Sequence, residues 1–222
     1  MPLIDSTYFE NSNIIANVNN NEPDPDYTTD KILDLMIVKG ERDVLSFAFG
    51  IEMWNDFKPF IANGIDPSTP QNYRDIIQGK MYEKNGKKCY WKGLIQEDTK
   101  ESLIADYVYC VYHDENNSTT AGIGEVSIKS KLGYRVTMIP KITKVWNRFI
   151  KQFHAGFRDR PSGHTCSGSP YWIVNGGVDY YGINNTMGEV SLMQFLTDNK
   201  VNYPLFNDNY KRFGSFKNEL GI

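Results

Sequence analysis

Two strongly amphipathic segments flank a Gly-rich, strand-forming turn between Glu97 and Phe153, and this arrangement constrains the fold more than any other part of the chain. In the first segment, Glu97 to His113, the residues Leu103, Ile104, Tyr107, Val108 and Val111 recur at the spacing that lines one helical face. Asp98 followed by Glu101 reads as a capping box. The second helix is predicted to begin near Thr137, with Pro140 in a first turn that does not need its missing N–H, and Ile142, Val145, Trp146, Phe149, Ile150 and Phe153 form one apolar stripe. Lys141, Lys144, Arg148 and Lys151 fall on the back of that helix and read as a solvated face or as a contact for an acidic neighbouring subunit. Between the helices, Gly122-Ile123-Gly124-Glu125-Val126 reads as a short strand whose glycines allow close backbone approach, paired either within the chain or with another copy. Each amphipathic helix needs a partner for its apolar face, so the predicted class is mainly α, a helical bundle with a small β hairpin or sheet and extended terminal arms.

Elsewhere the pattern divides the chain into three parts. Residues 1–27 read as an arm and not a core element, because Asn11 to Asn21 is polar and Pro23 and Pro25 block helix propagation. Its apolar islands, Leu3-Ile4, Tyr8-Phe9 and Ile14-Ile15, predict docking on another surface. Residues 28–155 form the helical domain. Thr28 or Thr29 caps a helix to about Val38, Gly40 is expected to interrupt it, and Gly50 and Pro59 to bend or end its continuation. Another helix is expected near Gln71 to Gln78, and a hairpin over about 80–92 turns at Asn85-Gly86, where a tight turn needs positive φ. Residues 156–222 read as a C-terminal extension, a long loop to Gly188 rich in Gly, Ser, Asn and aromatics and then a short helix near Glu189 to Thr197.

Charge and cysteine usage exclude several classes. A net charge of -3 and a pI near 5.7 do not suit a protein that grips nucleic acid by neutralising phosphates. The 3 cysteines, Cys89, Cys110 and Cys166, lack paired spacing and suit a reducing compartment better than a disulfide scaffold. Met1-Pro-Leu-Ile-Asp5 has neither a basic start nor an apolar run of leader type, and no stretch approaches membrane-spanning length, so a soluble chain is expected.

Candidate chemistry is sparse. His164 and Cys166, with His154 nearby in sequence, are the best candidates for a nucleophile or metal ligands, but the local signatures of thiol hydrolases and the four-ligand spacing of zinc sites are missing. Gly122 and Gly124 follow a helix and a polar loop, where a dinucleotide fingerprint must follow a strand and open a helix. Asp24, Asp26 and Asp30 offer no pair across a cleft. Tyr171, Trp172, Tyr180 and Tyr181 suit a core or interface anchor better than a sugar platform. No catalytic, cofactor-binding or metal residue is assigned, and no enzyme activity is expected.

Several motifs, in order, resemble a known family. Asp43 to Phe57, Lys88-Cys-Tyr-Trp-Lys-Gly-Leu94, Leu103 to Tyr112, Thr120-Ala-Gly-Ile-Gly-Glu125, Arg135-Val-Thr137 and Lys141-Ile-Thr-Lys-Val-Trp-Asn147 resemble the head-to-tail connector proteins of tailed phages, most closely the adaptor or ring proteins of crAss-like phages that infect Bacteroides. The likeness covers roughly Thr28 to Phe153. It implies a virion structural protein assembled in the bacterial host cytoplasm: a twelvefold cyclic homo-oligomer below the portal protein, in contact with other connector or tail rings. Such a ring joins capsid to tail, leaves a channel for DNA as passing cargo, and needs no cofactor. Two rivals stand beside it, a virion-associated cell-wall hydrolase using His164 and Cys166, and a carbohydrate-binding module using the aromatic C-terminal segment.

Overall fold

The computed structural model describes residues 2–15, 29–62, 68–84, 86–115, 119–121, 124–126, 139–154, 189–208 and 213. Within them the chain is mainly helical with small antiparallel hairpins, as the sequence predicts. A 3-10 turn, Ser6–Phe9, precedes α1 (Thr29–Phe49) and α2 (Ile51–Ala62), which Gly50 separates. Next come α3 (Gln71–Gln78), the hairpin β1 (Lys80–Lys84) and β2 (Lys87–Trp91), and the two-residue strands β3 (Ile95–Gln96) and β4 (Glu101–Ser102). Then follow α4 (Leu103–Glu115), the ribbon β5 (Thr119–Ala121) and β6 (Gly124–Val126), α5 (Ile139–His154), α6 (Leu192–Asp198) and a second 3-10 turn, Lys200–Asn202.

Helix α4 is the centre of the fold, packed on both α1 and α5. Leu103, Ile104, Ala105, Val108, Tyr109 and Cys110 are all buried, so apolar surface runs most of the way round it where one face was expected. The predicted capping box does not form. Glu97 to Lys100 lie in a turn, Glu101 and Ser102 pair with β3, and the Ile104 N–H donates to Ser102 Oγ at 3.1 Å at the helix start. Helix α5 carries the expected stripe, with Ile142, Val145, Phe149 and Phe153 buried and Trp146 and Ile150 packed at its edge.

Gly40 does not interrupt α1, which runs through it without a break. The glycine is where α4 crosses: a Cβ there would lie 2.5 Å from Val108 Cγ2 and 3.3 Å from Tyr107 Cδ1. Gly40→Ala should therefore destabilise the chain despite alanine's better helix propensity, by about 1–2 kcal/mol once the overpacking cost is set against that gain. Urea unfolding of the variant checks the sign, and a stabilised variant would mean that α1 and α4 separate freely. Pro59 likewise lies inside α2 without ending it.

The β1–β2 hairpin pairs Lys84 with Lys87, and Gly86 takes φ +73, the positive value expected at that turn; Asn85 lies outside the described residues. This hairpin fastens residues 189–208. The Val190 N–H donates to Tyr90 O at 2.9 Å, Tyr82 Oη donates to Asp198 Oδ2 at 2.7 Å, and the Trp91 ring stacks on Phe195 with centroids 6.0 Å apart. Leu192, Phe195, Leu196, Tyr203 and Phe206 are buried in the common core. The short helix predicted near Glu189 to Thr197 is present, but residues 190–206 belong to the helical body and not to a separate extension.

Candidate interaction surfaces

The first surface set aside for a partner, Leu3, Ile4, Tyr8 and Phe9, is already occupied. Ile4, Tyr8 and Phe9 are buried and Leu3 is packed at the core's edge, with the 3-10 turn held against α1 and α4 of the same chain. The reading of residues 1–27 as an arm outside the core is corrected for residues 2–15. Apolar islands in a polar context gave the right forecast of docking, but periodicity cannot tell a foreign surface from the chain's own.

Three polar anchors hold that segment. Tyr8 Oη donates to Glu97 Oε1 at 3.1 Å, and the Leu3 N–H donates to Glu41 Oε2 at 2.6 Å. The third is a network beneath the segment's end. Arg148 of α5 donates through Nε to Asp106 Oδ2 of α4 at 2.7 Å and through Nη2 to Asp106 Oδ1, and the same Nη2 donates to Asn13 Oδ1 at 2.7 Å. Asn13 Nδ2 closes the ring by donating to Asp106 Oδ1 at 2.7 Å. Asp106 and Asn13 are each 2% exposed and the Arg148 side chain is 34% exposed, so three elements share one polar site that is dry on the Asp106 side and reaches solvent through the guanidinium. Burial pushes the Asp106 carboxyl up, while the guanidinium and the Asn13 amide pull it down; the Asp106 carboxylate in turn raises Arg148. The sequence placed Arg148 in a basic stripe with Lys141, Lys144 and Lys151, read as solvated or as facing an acidic neighbouring subunit. The structure removes it from that stripe, because an ion buried on the facing helix needs a partner.

Glu41 is 6% exposed, and its burial pushes the carboxyl up to about 7, with the Leu3 N–H opposing the shift. The folded chain thus keeps a proton that the unfolded chain releases from about 4.5 upward. The stability this protonation supplies is complete below that value and is lost as pH rises to about 7. Glu41→Gln keeps a carbonyl acceptor for Leu3 and carries no charge. It should be more stable than the parent at pH 8 and should shrink the parent's stability loss between pH 5 and pH 8 by about 1–3 kcal/mol. Denaturant titrations at the two pH values measure both quantities, and an unchanged slope would show that Glu41 is solvated in the folded chain.

The surface named at Gly122 to Val126 is described in part. Gly124, Glu125 and Val126 form β6 and pair antiparallel with Ala121, Thr120 and Thr119 of the same chain, while Gly122 and Ile123 lie outside the described residues. This ribbon has two strands, and neither outer edge is paired among the described residues. A second exposed surface among the described residues, which the sequence reading did not pick out, is the outer side of α1, where Ile32, Leu35 and Val38 are 46%, 71% and 54% exposed. The signal that could have shown it is their spacing of three residues, which keeps them on one side of the helix.

Tyr171, Trp172, Tyr180, Tyr181, His164 and Cys166 all lie outside the described residues. His154 is buried beside Phe153, and Cys110 is buried with its Sγ 3.7 Å from Ile142 O, its thiol pushed up to about 12 by that burial. Among the described residues no group of His, Cys, Asp or Glu is placed to hold a metal ion, and no helix is long and apolar enough to cross a membrane. A cavity of about 140 Å³ between α2, α3 and the segment after the second 3-10 turn is lined by Met53, Asp56, Asn72, Tyr73, Tyr203, Pro204 and Leu205. Its carboxylate, Asp56, accepts a hydrogen bond from Tyr73 Oη. The chain matches no protein family, no curated protein and no solved structure with which it was compared.

Proposed function

We propose that this chain is a ring-forming structural subunit of a tailed-phage head-to-tail connector, seated below the portal protein in the virion. The motif resemblance between Thr28 and Phe153 supports this reading, and the observation that carries it furthest is the β5–β6 ribbon. A two-stranded ribbon is marginal in water by itself, and its edges, unpaired among the described residues, are suited to strand addition from a neighbour. The exposed Ile32, Leu35 and Val38 supply a second contact face on another part of the subunit. Two different faces on one subunit are what a heterologous contact needs, and such contacts close into a ring when the rotation per subunit divides a full turn.

The mechanism is geometric. The rigid helical body fixes the angle between the two faces, and DNA passes through the resulting channel without being gripped, in keeping with the net charge of -3. Mass measurement with negative-stain imaging of the purified chain, alone and with its portal protein, tests the proposal. Closed rings of twelve copies are expected. A chain that stays monomeric under both conditions would refute it, and wall hydrolysis or sugar binding by that monomer would favour one of the two rivals.

A further inference from the structure

The cavity between α2, α3 and the segment after the second 3-10 turn combines a carboxylate, a side-chain amide and two phenols. Asp56 of α2 supplies the carboxylate. Asn72 of α3 supplies the amide, whose Nδ2 donates to Asn202 O at 3.3 Å and leaves the carbonyl Oδ1 as its acceptor end. The two phenols fix the helices that carry these acceptors. Tyr73 Oη donates to Asp56 Oδ2, and Tyr203 Oη donates to Asn72 O at 2.9 Å. Both tyrosines are buried, and the Tyr73 ring meets Phe57 edge-on with centroids 5.1 Å apart, so the arrangement is rigid before any ligand arrives. Among the described residues no lysine, arginine or histidine lines the cavity or pairs with Asp56. Asp56, Pro204 and Leu205 are exposed, so the cavity opens to solvent.

We propose that this cavity is a docking site for the guanidinium of an arginine side chain carried by a partner protein. The charge is complementary, because the cavity offers a held carboxylate with no cation of the same chain beside it among the described residues. A guanidinium suits the walls better than an ammonium. Acceptors stand on two helices, and a planar fork of five N–H donors can engage both at once, where an ammonium is a compact and strongly hydrated charge. Met53, Pro204 and Leu205 make the remaining wall apolar, which suits the weakly hydrated guanidinium and its methylene stem. The volume of about 140 Å³ fits a side-chain head, well below the roughly 300–1,000 Å³ of pockets that enclose a larger organic ligand. The rim favours a protein over a free small cation. Leu205 is 42% exposed and Val201, next to Asn202, is 95% exposed, apolar surface that residues flanking the arginine would cover. The site shares no residue with the β5–β6 ribbon or the outer side of α1, so it stands whether or not the chain forms a ring.

The test titrates the full chain with the blocked tripeptide acetyl-Leu-Arg-Leu-amide and with its citrulline and lysine counterparts. Citrulline keeps the shape of arginine and lacks its charge. The Met53 methyl resonance, assigned with a Met53→Leu variant, reports occupancy. Saturable binding of the arginine peptide is expected at about millimolar concentration, with the citrulline peptide weaker by about tenfold or more and the lysine peptide by about threefold or more. Asp56→Asn keeps an acceptor for Tyr73 Oη on an exposed side chain, so its thermal unfolding should stay within a few degrees of the parent while its affinity for the arginine peptide falls by about tenfold or more. Absent saturation, equal binding of the citrulline peptide, or unchanged affinity in Asp56→Asn would overturn the site, and equal binding of the lysine peptide would overturn its preference for a guanidinium. n-Propylguanidinium, the arginine head without its backbone, should bind more weakly than the tripeptide; equal or tighter binding would overturn the protein partner in favour of a free small cation.

Discussion

Arg148→Ala should cost about 3–5 kcal/mol of folding stability, far more than the loss of a surface charge, because it strands the Asp106 carboxylate in a site whose side chain is 3% exposed. Arg148 is the only cation bonded to that carboxylate among the described residues, and Asn13 alone cannot neutralise it. For a chain of this size the loss corresponds to a fall in Tm of about 10 °C. Its pH dependence has a definite sign. With the guanidinium gone, desolvation acts on Asp106 without its main opponent, so the folded chain takes up a proton, and the loss should be larger at pH 8 than at pH 5. A triple variant, Arg148→Met with Asp106→Leu and Asn13→Leu, should recover most of the stability, because a matched apolar filling leaves no buried group unpaired. Calorimetry of both variants checks this. A loss below about 1 kcal/mol for Arg148→Ala would place the pair among solvent-screened surface bridges.

That network also marks the limit of what the sequence made legible. Helix α5, α3 and the Asn85-Gly86 hairpin are readable because each carries a local signal: a 3.6-residue apolar period, a flanking Pro70, a turn that needs positive φ. The interior of α1 was misread at Gly40 because a glycine is cheap at a helix crossing and costly only in isolation. Which atoms approach it, Val108 and Tyr107, is a property of packing 68 and 67 residues away along the chain. Helical spacing alone placed Arg148 on a face read as solvated or as meeting an acidic neighbouring subunit, and the spacing is correct; what spacing cannot show is that Asp106 and Asn13 arrive at that side chain from two other elements of the same chain. The packing of Phe213 against Trp146, Phe149 and Phe153 was half visible, since those three were read as part of one stripe, while Phe213 had no periodic context to mark it.

The last expected result separates an arm that waits for a neighbour from a segment that belongs to its own core. Phe9 is fully buried against α1 and α4, and the Ile15 N–H closes onto Phe9 O at 3.0 Å. Phe9→Ala should therefore lower the stability of the isolated monomer by about 3–5 kcal/mol, the sum of lost transfer energy and a cavity that the surrounding helices can only partly close. Ile14→Ala, at a position 54% exposed between the buried Asn13 and Ile15, should stay within about 0.5 kcal/mol of the parent. The contrast between neighbouring sites removes any general effect of altering the N-terminal segment. Were residues 2–15 ordered only by a neighbouring subunit, both variants would unfold like the parent as monomers, and Phe9→Ala would fail only in assembly. Chemical denaturation at a concentration where the chain is monomeric, followed by sizing at high concentration, distinguishes the two cases, and loss of monomer stability for Phe9→Ala alone identifies the segment as part of the subunit's own core.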